Sequence, residues 1–318
     1  MNAIRTRRRF PMQWFFVPAI LALGGIALVA LFYRDEVSYT LRLLNAKRVA
    51  DAFYATSPNV TKNIAYGDLP REKLDVYQPT APGPHPVMMW VHGGGWNSGE
   101  KELYAPVAQK TLSENIVIVI PSYTLHPQAN AFQQAQEIAR AFVWTRDNIS
   151  KYGGDPKRII LGGQSAGAHL SGLVALDATY LAALEHSPRE ICGYYGIAGP
   201  YNISEQLQYE KSVKGNDGKL LLDVFGGETN FPRGSPGSFV GSALPPILLI
   251  HGDSDETVPL SISENFQNEL RAKGDTSELK IYPGAGHAGL LFDALAQDKP
   301  QLLQDLTSFA RSCASIQE

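Results

Sequence analysis

The most constraining feature of this chain is the pentapeptide Gly-Gln-Ser-Ala-Gly at residues 163–167. It directly follows an apolar run, residues 158–161, that predicts a buried strand, and it directly precedes a small-residue run, residues 168–172, that can begin a helix. A serine on so sharp a turn needs glycine two residues before and two residues after it, because a Cβ at either place would collide with neighbouring backbone. Ser165 is therefore predicted to be a nucleophile at a strand-to-helix turn.

A second motif, Val-His-Gly-Gly-Gly-Trp at residues 91–96, follows the strand-like residues 87–90. Three successive glycines leave backbone N–H groups bare, and such donors can converge on the oxyanion that forms when a serine attacks an ester carbonyl. We predict that the N–H groups of Gly93 and Gly94 bind this oxyanion together with the N–H of Ala166. The alternative interpretation is a tight glycine turn with a histidine packed beneath it.

Carboxylates and a histidine follow two further predicted strands. Residues 247–250 lead into His-Gly-Asp-Ser-Asp-Glu at residues 251–256, and residues 279–281 lead into a glycine-rich loop that contains His287. The chain order is serine, acid, histidine, which is the order of the triad in α/β-hydrolases. His287 is accordingly predicted to be the general base, with its partner among the carboxylates of the preceding loop.

Shorter motifs accompany these loops, namely Tyr-Gly at 66–67, Lys-Leu-Asp-Val-Tyr at 73–77, Gly-Gly-Asp-Pro at 153–156 and Ala-Gly-Pro-Tyr at 198–201. Over about residues 60–315 the chain resembles α/β-hydrolase esterases with a His-Gly-Gly-Gly oxyanion loop. Within that group, which is related to the hormone-sensitive lipases, it is most similar to isoprenylcysteine methylesterase-like proteins and to bacterial carboxylesterase or feruloyl-esterase-like proteins. Gln164, where related esterases often have histidine or aspartate, is closer to the methylesterase-like pattern.

The resemblance implies an α/β-hydrolase fold, with a mainly parallel central sheet flanked by helices. It places the acid of the triad at Asp255 and implies serine ester hydrolysis through an acyl-enzyme intermediate. Trp96 and Tyr201 are expected to line the substrate pocket. His169 lies four residues after the serine on the same predicted helix, and we expect it to pack against the sheet. His92, which precedes the three glycines, and His251 are expected to brace their loops.

The rest of the chain alternates predicted strands with predicted helices, which is the pattern of a parallel sheet covered on both faces. The predicted strands are 63–68 and 73–78, an antiparallel opening pair, followed by 87–91, 116–120, 158–161, 192–197, 247–250 and 279–282; the clearest predicted helices are 129–149 and 262–273. Residues 203–243 are polar, rich in Gly and Pro, and long for a connection, so we expect a lid or cap-like insertion. With residues 36–57, which have a helical composition, it should frame the substrate entrance.

Composition excludes several classes of function. A net charge of −3 gives no electrostatic reason to expect nucleic acid as a partner. No Cys/His cluster has zinc spacing, and no glycine-rich loop carries the lysine of a phosphate-binding loop, so neither a metal nor another cofactor is expected. Cys192 and Cys313, the two cysteines, form no recognisable framework, and we expect both to be free.

The N-terminus predicts a membrane anchor. Residues 10–33 contain no charged residue, and residues 14–33 are about as long as a helix must be to cross a bilayer core. Arginines at positions 5, 7, 8 and 9 precede this run, so the positive-inside rule keeps the N-terminus in the cytoplasm. The expected organisation is a cytoplasmic tip and signal anchor (1–34), a juxtamembrane helical segment (35–60) and an extracytoplasmic catalytic domain (61–318). Cleavage of the segment as a signal peptide, with secretion or a periplasmic location, is the alternative.

Three functions remain open on the sequence alone. A serine carboxylic ester hydrolase acting on a small-molecule ester is favoured, with a preference for esters that carry an apolar group, because an anchored enzyme would meet amphiphilic esters. An amide hydrolase resembling arylformamidases, which have a similar His-Gly-Gly loop followed by an aromatic residue, is the enzymatic alternative. The third is a non-catalytic binding module with the same fold.

Overall fold

The computed structural model describes residues 34–57, 59–241, 244–295 and 300–313. The chain divides into two compact units, residues 1–46 and 47–318. In the first, the described residues belong to helix α1 (Arg34–Thr56), which continues into the second unit. The predicted anchor at residues 14–33 lies outside the described residues, and no helix within the described part of the chain has the length and apolar character needed to cross a membrane.

One eight-stranded sheet forms the centre of the second unit. Its strands are β1 (Val60–Ala65), β2 (Lys73–Tyr77), β3 (His85–Val91), β4 (Val117–Pro121), β5 (Gly154–Gln164), β6 (Gly193–Ile197), β7 (Ile247–Gly252) and β8 (Ser277–Tyr282). In the sheet they follow the order β1-β2-β4-β3-β5-β6-β7-β8. In this order, β2 pairs with β1 and with β4 in antiparallel orientation, and all the other neighbouring strands are parallel. The loops that follow β3, β5, β7 and β8 therefore meet at one edge of the sheet.

All eight predicted strands form, and the structure confirms the mainly parallel α/β architecture. The first strand begins three residues earlier than predicted, at Val60, and its pairing with β2 is irregular between Thr61 and Ile64. The hydrophobic pattern of that strand is weak because it lies at the edge of the sheet, where its residues are only half-buried or exposed. The predicted bounds of β3, β4 and β7, which are buried on both faces, are within two residues of those observed, whereas β5 extends four residues before and three residues after the predicted 158–161.

Helices cover both faces. They are α2 (Ala105–Thr111), α3 (Ala131–Asn148), α4 (Ala166–Leu176), α5 (Ala178–Ala182), α6 (Ile203–Ser212), α7 (Lys219–Phe225), α8 (Leu260–Ala272), α9 (Gly289–Leu295) and α10 (Gln301–Ser312). Alternate residues of each inner strand enter opposite cores: Met89 belongs to the core that includes residues of α3, α4 and α8, and Met88 to the core that includes residues of α2, α9 and α10. The two layers of helices fix the sheet edge on which the functional loops lie.

The insertion predicted at residues 203–243 carries its own secondary structure, with α6 and α7 followed by short 3₁₀ turns at Glu228–Asn230 and Pro236–Phe239. Asn202 caps α6 by accepting hydrogen bonds from two backbone N–H groups of the first turn. Its buried residues, including Leu207, Leu221 and Phe225, belong to the same apolar core as α3 and α4. These buried residues pack the insertion onto the domain, while residues 211–217, at the end of α6 and in the connection to α7, are exposed.

The expectation of two free cysteines was wrong. Cys192 lies directly before β6 and Cys313 directly after α10, and the structure joins them in a disulfide with their Cα atoms 5.8 Å apart, a usual separation for such a bond. The two residues are 121 positions apart in sequence, so no spacing pattern indicates the pairing. Packing of α10 against the amino-terminal end of β6 brings them together.

Candidate active site

Ser165 occupies a strained turn between β5 and α4. Its backbone angles are φ 56° and ψ −124°, and residues other than glycine rarely adopt a positive φ of this kind. A Cβ on Gly163 would lie 2.2 Å from the carbonyl oxygen of Val91, and one on Gly167 would lie 2.1 Å from the same oxygen. Both glycines are therefore needed for β3 and α4 to close around the turn. The strain presents the half-exposed hydroxyl of Ser165 at the sheet edge.

Ser165, His287 and Asp255 come from three loops and form one chain of hydrogen bonds. The Ser165 hydroxyl donates to Nε2 of His287 at 2.8 Å, and Nδ1–H of His287 donates to Oδ2 of Asp255 at 2.7 Å. The His287 side chain is 15% exposed and that of Asp255 is 0% exposed, so the imidazole can meet a ligand while its carboxylate is shielded from water. The three side chains are thus within the contact distances that general-base activation of a serine requires.

The Asp255 carboxylate is held by four donors. Its Oδ1 accepts from the N–H groups of Thr257 and Val258 at 2.8 and 2.9 Å. Its Oδ2 faces both His287 and, at 3.2 Å, Nε2 of His251. Burial raises the pKa of Asp255, but the hydrogen bonds from His251 and His287 outweigh it and hold that pKa well below its usual range. The carboxylate is therefore ionised at neutral pH. His251, which was expected only to brace its loop, also contacts this carboxylate.

Backbone donors lie beside the serine. Ala166 is the first residue of α4, so its N–H has no carbonyl one turn earlier to bond. Gly94 and Gly95 have φ angles of 122° and 58° and are half-exposed. Within the described ranges, no residue accepts a backbone hydrogen bond from the N–H of Ala166, Gly94 or Gly95. These three amides can receive an oxyanion, and Gly95 is a donor that the sequence prediction did not include.

Gly93 differs from its prediction, because its N–H donates to the Tyr104 hydroxyl at 3.1 Å and is not free for an oxyanion. The residue is still tightly placed, since a Cβ on it would lie 2.8 Å from the carbonyl oxygen of Gln164 and 3.2 Å from Cβ of Ser165. The Tyr104 hydroxyl also lies 3.5 Å from Oε1 of Gln164, whose Nε2 is 3.3 Å from Nε2 of His287. Tyr104 belongs to no motif, and the sequence offered no signal for it.

Trp96 packs the oxyanion loop against the insertion. Its ring is 5% exposed and lies edge-on to Phe225 at 5.4 Å, and its Nε1–H donates to Nδ1 of His169 at 3.3 Å. Nε2–H of His169 in turn donates to the carbonyl oxygen of Gly234 at 2.6 Å. Burial lowers the pKa of His169 to about 4, although the bond to Gly234 opposes this, so the ring is neutral. His169 is a structural bridge, and pocket lining by Trp96 stays a prediction.

Tyr201 does not lie where the sequence prediction put it. The side chain is fully buried and its ring stacks on Phe266 with the centroids 4.5 Å apart. A Cβ on Gly196 would lie 2.1 Å from the Tyr201 hydroxyl, so this glycine makes room for the ring beneath the sheet edge. Ala198, with φ 49°, turns the chain inward after β6. Tyr201 therefore belongs to the core, and the prediction that it lines the pocket was wrong.

The insertion contacts two of the functional loops. A Cβ on Gly95 would lie 3.6 Å from Cδ2 of Leu220 on α7, so this half-buried leucine stands over the oxyanion loop. On α6, Gln206 donates to the carbonyl oxygen of Thr257 at 2.9 Å, and the Tyr209 hydroxyl donates to the carbonyl oxygen of Glu256 at 3.0 Å. The insertion thus contacts the oxyanion loop on one side and, on the other, the acid loop, residues 253–258, which carries Asp255.

The family model described as BD-FAE matches residues 74–270 of the chain. This range includes Ser165 and Asp255 and ends before His287. The chain is 33% identical over 269 residues to isoprenylcysteine alpha-carbonyl methylesterase of Arabidopsis thaliana, covering 80% of this chain and 63% of that protein. It is 30% identical over 262 residues to esterase LipQ of Mycobacterium tuberculosis, covering 78% and 61%. The chain thus spans somewhat less than two thirds of these relatives.

Solved structures share the fold at lower sequence identity. Esterase B from Lactobacillus rhamnosus superposes with a TM-score of 0.70 and 21% identity, over 89% of this chain and 94% of that one. Esterase 2 of Thermogutta terrifontis, solved with propionate bound, gives a TM-score of 0.67 and 20% identity, over 83% and 98%. At these identities the likeness establishes the fold and leaves the chemistry to be argued from the site.

Proposed function

Because the chain belongs to the BD-FAE family of α/β-hydrolases, a membership that confirms the resemblance read from its motifs, we propose that it is a serine carboxylic ester hydrolase. The observation that carries the proposal is the hydrogen-bonded chain from Ser165 through His287 to Asp255, beside free amides at a helix N-terminus. The named relatives are esterases, which supports the same reaction class.

In the acylation step, the Ser165 hydroxyl attacks the ester carbonyl while His287 takes its proton through Nε2. Asp255, ionised and hydrogen-bonded to Nδ1–H, stabilises the imidazolium that forms. The carbonyl oxygen becomes an oxyanion bound by the N–H groups of Ala166, Gly94 and Gly95. Because Ala166 begins an eleven-residue helix, the positive end of the helix dipole adds to this stabilisation.

Collapse of the tetrahedral intermediate requires a proton for the leaving alcohol. The imidazolium of His287 delivers it, the carbon–oxygen bond to the alcohol breaks, and the acyl group stays on Ser165. Water then attacks the acyl carbon with His287 again accepting a proton. The second intermediate collapses as His287 returns this proton to the Ser165 oxygen, which releases the carboxylic acid and the free serine. The same amides bind the oxyanion in both halves of the reaction, so one site serves both steps.

We further propose that the insertion, residues 203–243, provides an apolar wall for one group of the ester. Leu220 is half-buried over the oxyanion loop, and Phe225 packs on Trp96 just behind it. An acyl chain that leaves the oxyanion position toward α7 would bury its methylenes against Leu220. Each buried methylene favours binding by roughly 0.8 kcal/mol, which is about a fourfold effect.

A chain-length series of 4-nitrophenyl esters is expected to give kcat/KM values that rise about fourfold per methylene from acetate to butyrate. Leu220→Asn should flatten that rise, because it puts a polar amide where the chain packs, while Leu222→Asn on the same helix is the matched control. N-formylkynurenine assayed in parallel is expected to be a poor substrate, and Ser165→Ala provides the blank. A steep fall beyond acetate would contradict the apolar wall, and faster turnover of the formamide would favour an amide hydrolase.

We also propose that residues 14–33 anchor the protein in a membrane, with the catalytic domain outside the cytoplasm. The uncharged run at residues 10–33 and the arginines before it support the orientation. The Cys192–Cys313 disulfide supports the compartment independently, because disulfides form and persist in oxidising environments outside the cytosol.

Cell fractionation tests this topology. Full-length protein is expected in the membrane fraction after a carbonate wash, released only by detergent, and its catalytic domain is expected to be digested by protease added from outside spheroplasts. Thiol alkylation before reduction should leave Cys192 and Cys313 unlabelled. Recovery of full-length protein in the carbonate supernatant would refute the anchor, and a protease-resistant domain with two alkylated cysteines would reverse the orientation.

A further inference from the structure

His251 lies near the end of β7 and is fully buried beneath the loop that carries Asp255. Its Nδ1 is 2.6 Å from Oγ of Ser263 on α8. Its Nε2 is 2.9 Å from the carbonyl oxygen of Val258 and 3.2 Å from Oδ2 of Asp255. One imidazole therefore joins β7, α8 and the acid loop, and it contacts the same carboxylate oxygen that receives His287.

The neighbours of His251 determine where its proton lies. The Val258 carbonyl and the ionised carboxylate of Asp255 can only accept hydrogen bonds, so Nε2 between them must carry a hydrogen. The Ser263 hydroxyl can donate as well as accept, and by donating to Nδ1 it completes the shell of a neutral ring. In this tautomer every polar atom of the buried imidazole has a partner, so Ser263 keeps the hydrogen on Nε2, which lies between the Val258 carbonyl at 2.9 Å and Oδ2 of Asp255 at 3.2 Å.

We propose that His251 is a positioning residue whose Nε2–H orients the Asp255 carboxylate toward His287 and shares its negative charge. This inference rests on the proposed ester hydrolysis. The two backbone donors on Oδ1 locate one oxygen of the carboxylate. The N–H of His251 limits rotation of the other oxygen about the Cβ–Cγ bond. His287 thus meets a carboxylate that is already aimed.

Sharing the charge of Oδ2 between two imidazoles has a measurable consequence. Without the N–H of His251, the charge on Oδ2 acts on His287 alone and stabilises its imidazolium more strongly, so a higher pH is needed to free the base. Among the described residues, the other titratable groups at this loop include Glu256, Asp253, which bonds to a backbone amide, and the Tyr209 hydroxyl on α6, whose pKa is raised by its burial and then by Asp255 and Glu256.

Three substitutions separate the N–H from the volume of the ring. His251→Phe keeps a planar ring and removes the donor. His251→Asn keeps an amide near Ser263 that is too short to reach Asp255. His251→Gln can place an amide N–H where Nε2–H was, and is the conservative variant.

The measurement is the pH profile of kcat/KM for an acetate ester, with each preparation normalised to its active sites by fluorophosphonate titration. His251→Phe and His251→Asn are expected to lower kcat/KM about tenfold to a hundredfold, the size of effect seen when a hydrogen bond that orients a metal ligand from behind is lost. Their acid limb should move to higher pH by about half a unit to one unit. His251→Gln should restore both the rate and the acid limb to near the wild-type values.

A role confined to bracing the loop predicts a different outcome. The variants would then lose thermal stability or titratable sites, yet the acid limb of the remaining enzyme would not move, and this result overturns the proposal. If His251→Phe does not fold, the Asn and Gln pair decides the question alone. Absence of Ser165-dependent turnover in the wild type would refute the proposed function. Such turnover with an unmoved acid limb in the His251 variants would refute only the positioning role.

Discussion

Ser165→Ala is expected to lower kcat/KM for ester hydrolysis by at least about 10⁴-fold, because the variant has no nucleophile from which an acyl-enzyme can form. The fold should be retained. The Ser165 side chain is half-exposed and its hydroxyl bonds only to His287 among the described side chains, so its removal leaves no buried polar group without a partner. Residual rate would come from the oxyanion amides and from binding.

Initial rates on 4-nitrophenyl acetate, with circular dichroism as a check of folding, measure this loss. Ser171→Ala is the matched control, since this serine lies on the same helix and its hydroxyl bonds to the Gly167 carbonyl 2.7 Å away. That control should keep its rate within about tenfold of the wild type, because the lost hydrogen bond contributes to the stability of α4 and not to the reacting atoms. Turnover by Ser165→Ala within tenfold of the wild type would exclude the acyl-enzyme mechanism.

Asp255→Asn is expected to reduce kcat about 10³- to 10⁴-fold, the second largest effect. The amide cannot stabilise the imidazolium of His287, and its NH₂ group turned toward Nδ1 would favour the wrong tautomer of that ring. The two backbone N–H groups that hold Oδ1 remain, so the loop should keep its conformation.

Asp253→Asn provides the comparison for the acid. Asp253 lies two residues earlier on the same loop, and its Oδ1 accepts from the Gly284 N–H at 2.7 Å and the Ser254 hydroxyl at 3.1 Å. An asparagine oxygen can accept the same bonds, so kcat should fall by less than about tenfold. Rates measured on the two variants side by side decide the assignment. A larger loss in Asp253→Asn would move the acid role to that residue.

Local chemistry explains why the strands and the serine turn could be predicted. Strands β3, β4 and β7 are largely apolar runs, and glycines at 163 and 167 mark the serine turn two residues to either side of it, although the backbone they leave room for is the Val91 carbonyl on β3. His287 was recognisable because its loop follows the last strand, in the order the fold imposes. Each of these signals lies within a few residues of the feature that it predicts.

Contacts between distant segments left no comparable signal. Cys192 pairs with Cys313 because α10 returns to the start of β6. The Tyr104 hydroxyl accepts a hydrogen bond from the Gly93 N–H because the 3₁₀ turn that ends at Tyr104 folds beneath the oxyanion loop. The contact between His251 and Asp255 is close in sequence but depends on how the loop turns back over β7. These pairings follow from packing, which the periodicity of a sequence does not encode.

Reaction of the wild-type protein with a fluorophosphonate, followed by intact mass measurement and peptide mapping, tests the central claim most directly. The account predicts one adduct per chain, located on Ser165, formed in step with the loss of esterase activity, and slowed in the presence of an ester substrate. An adduct on another residue, or complete loss of activity with Ser165 unmodified, would contradict it.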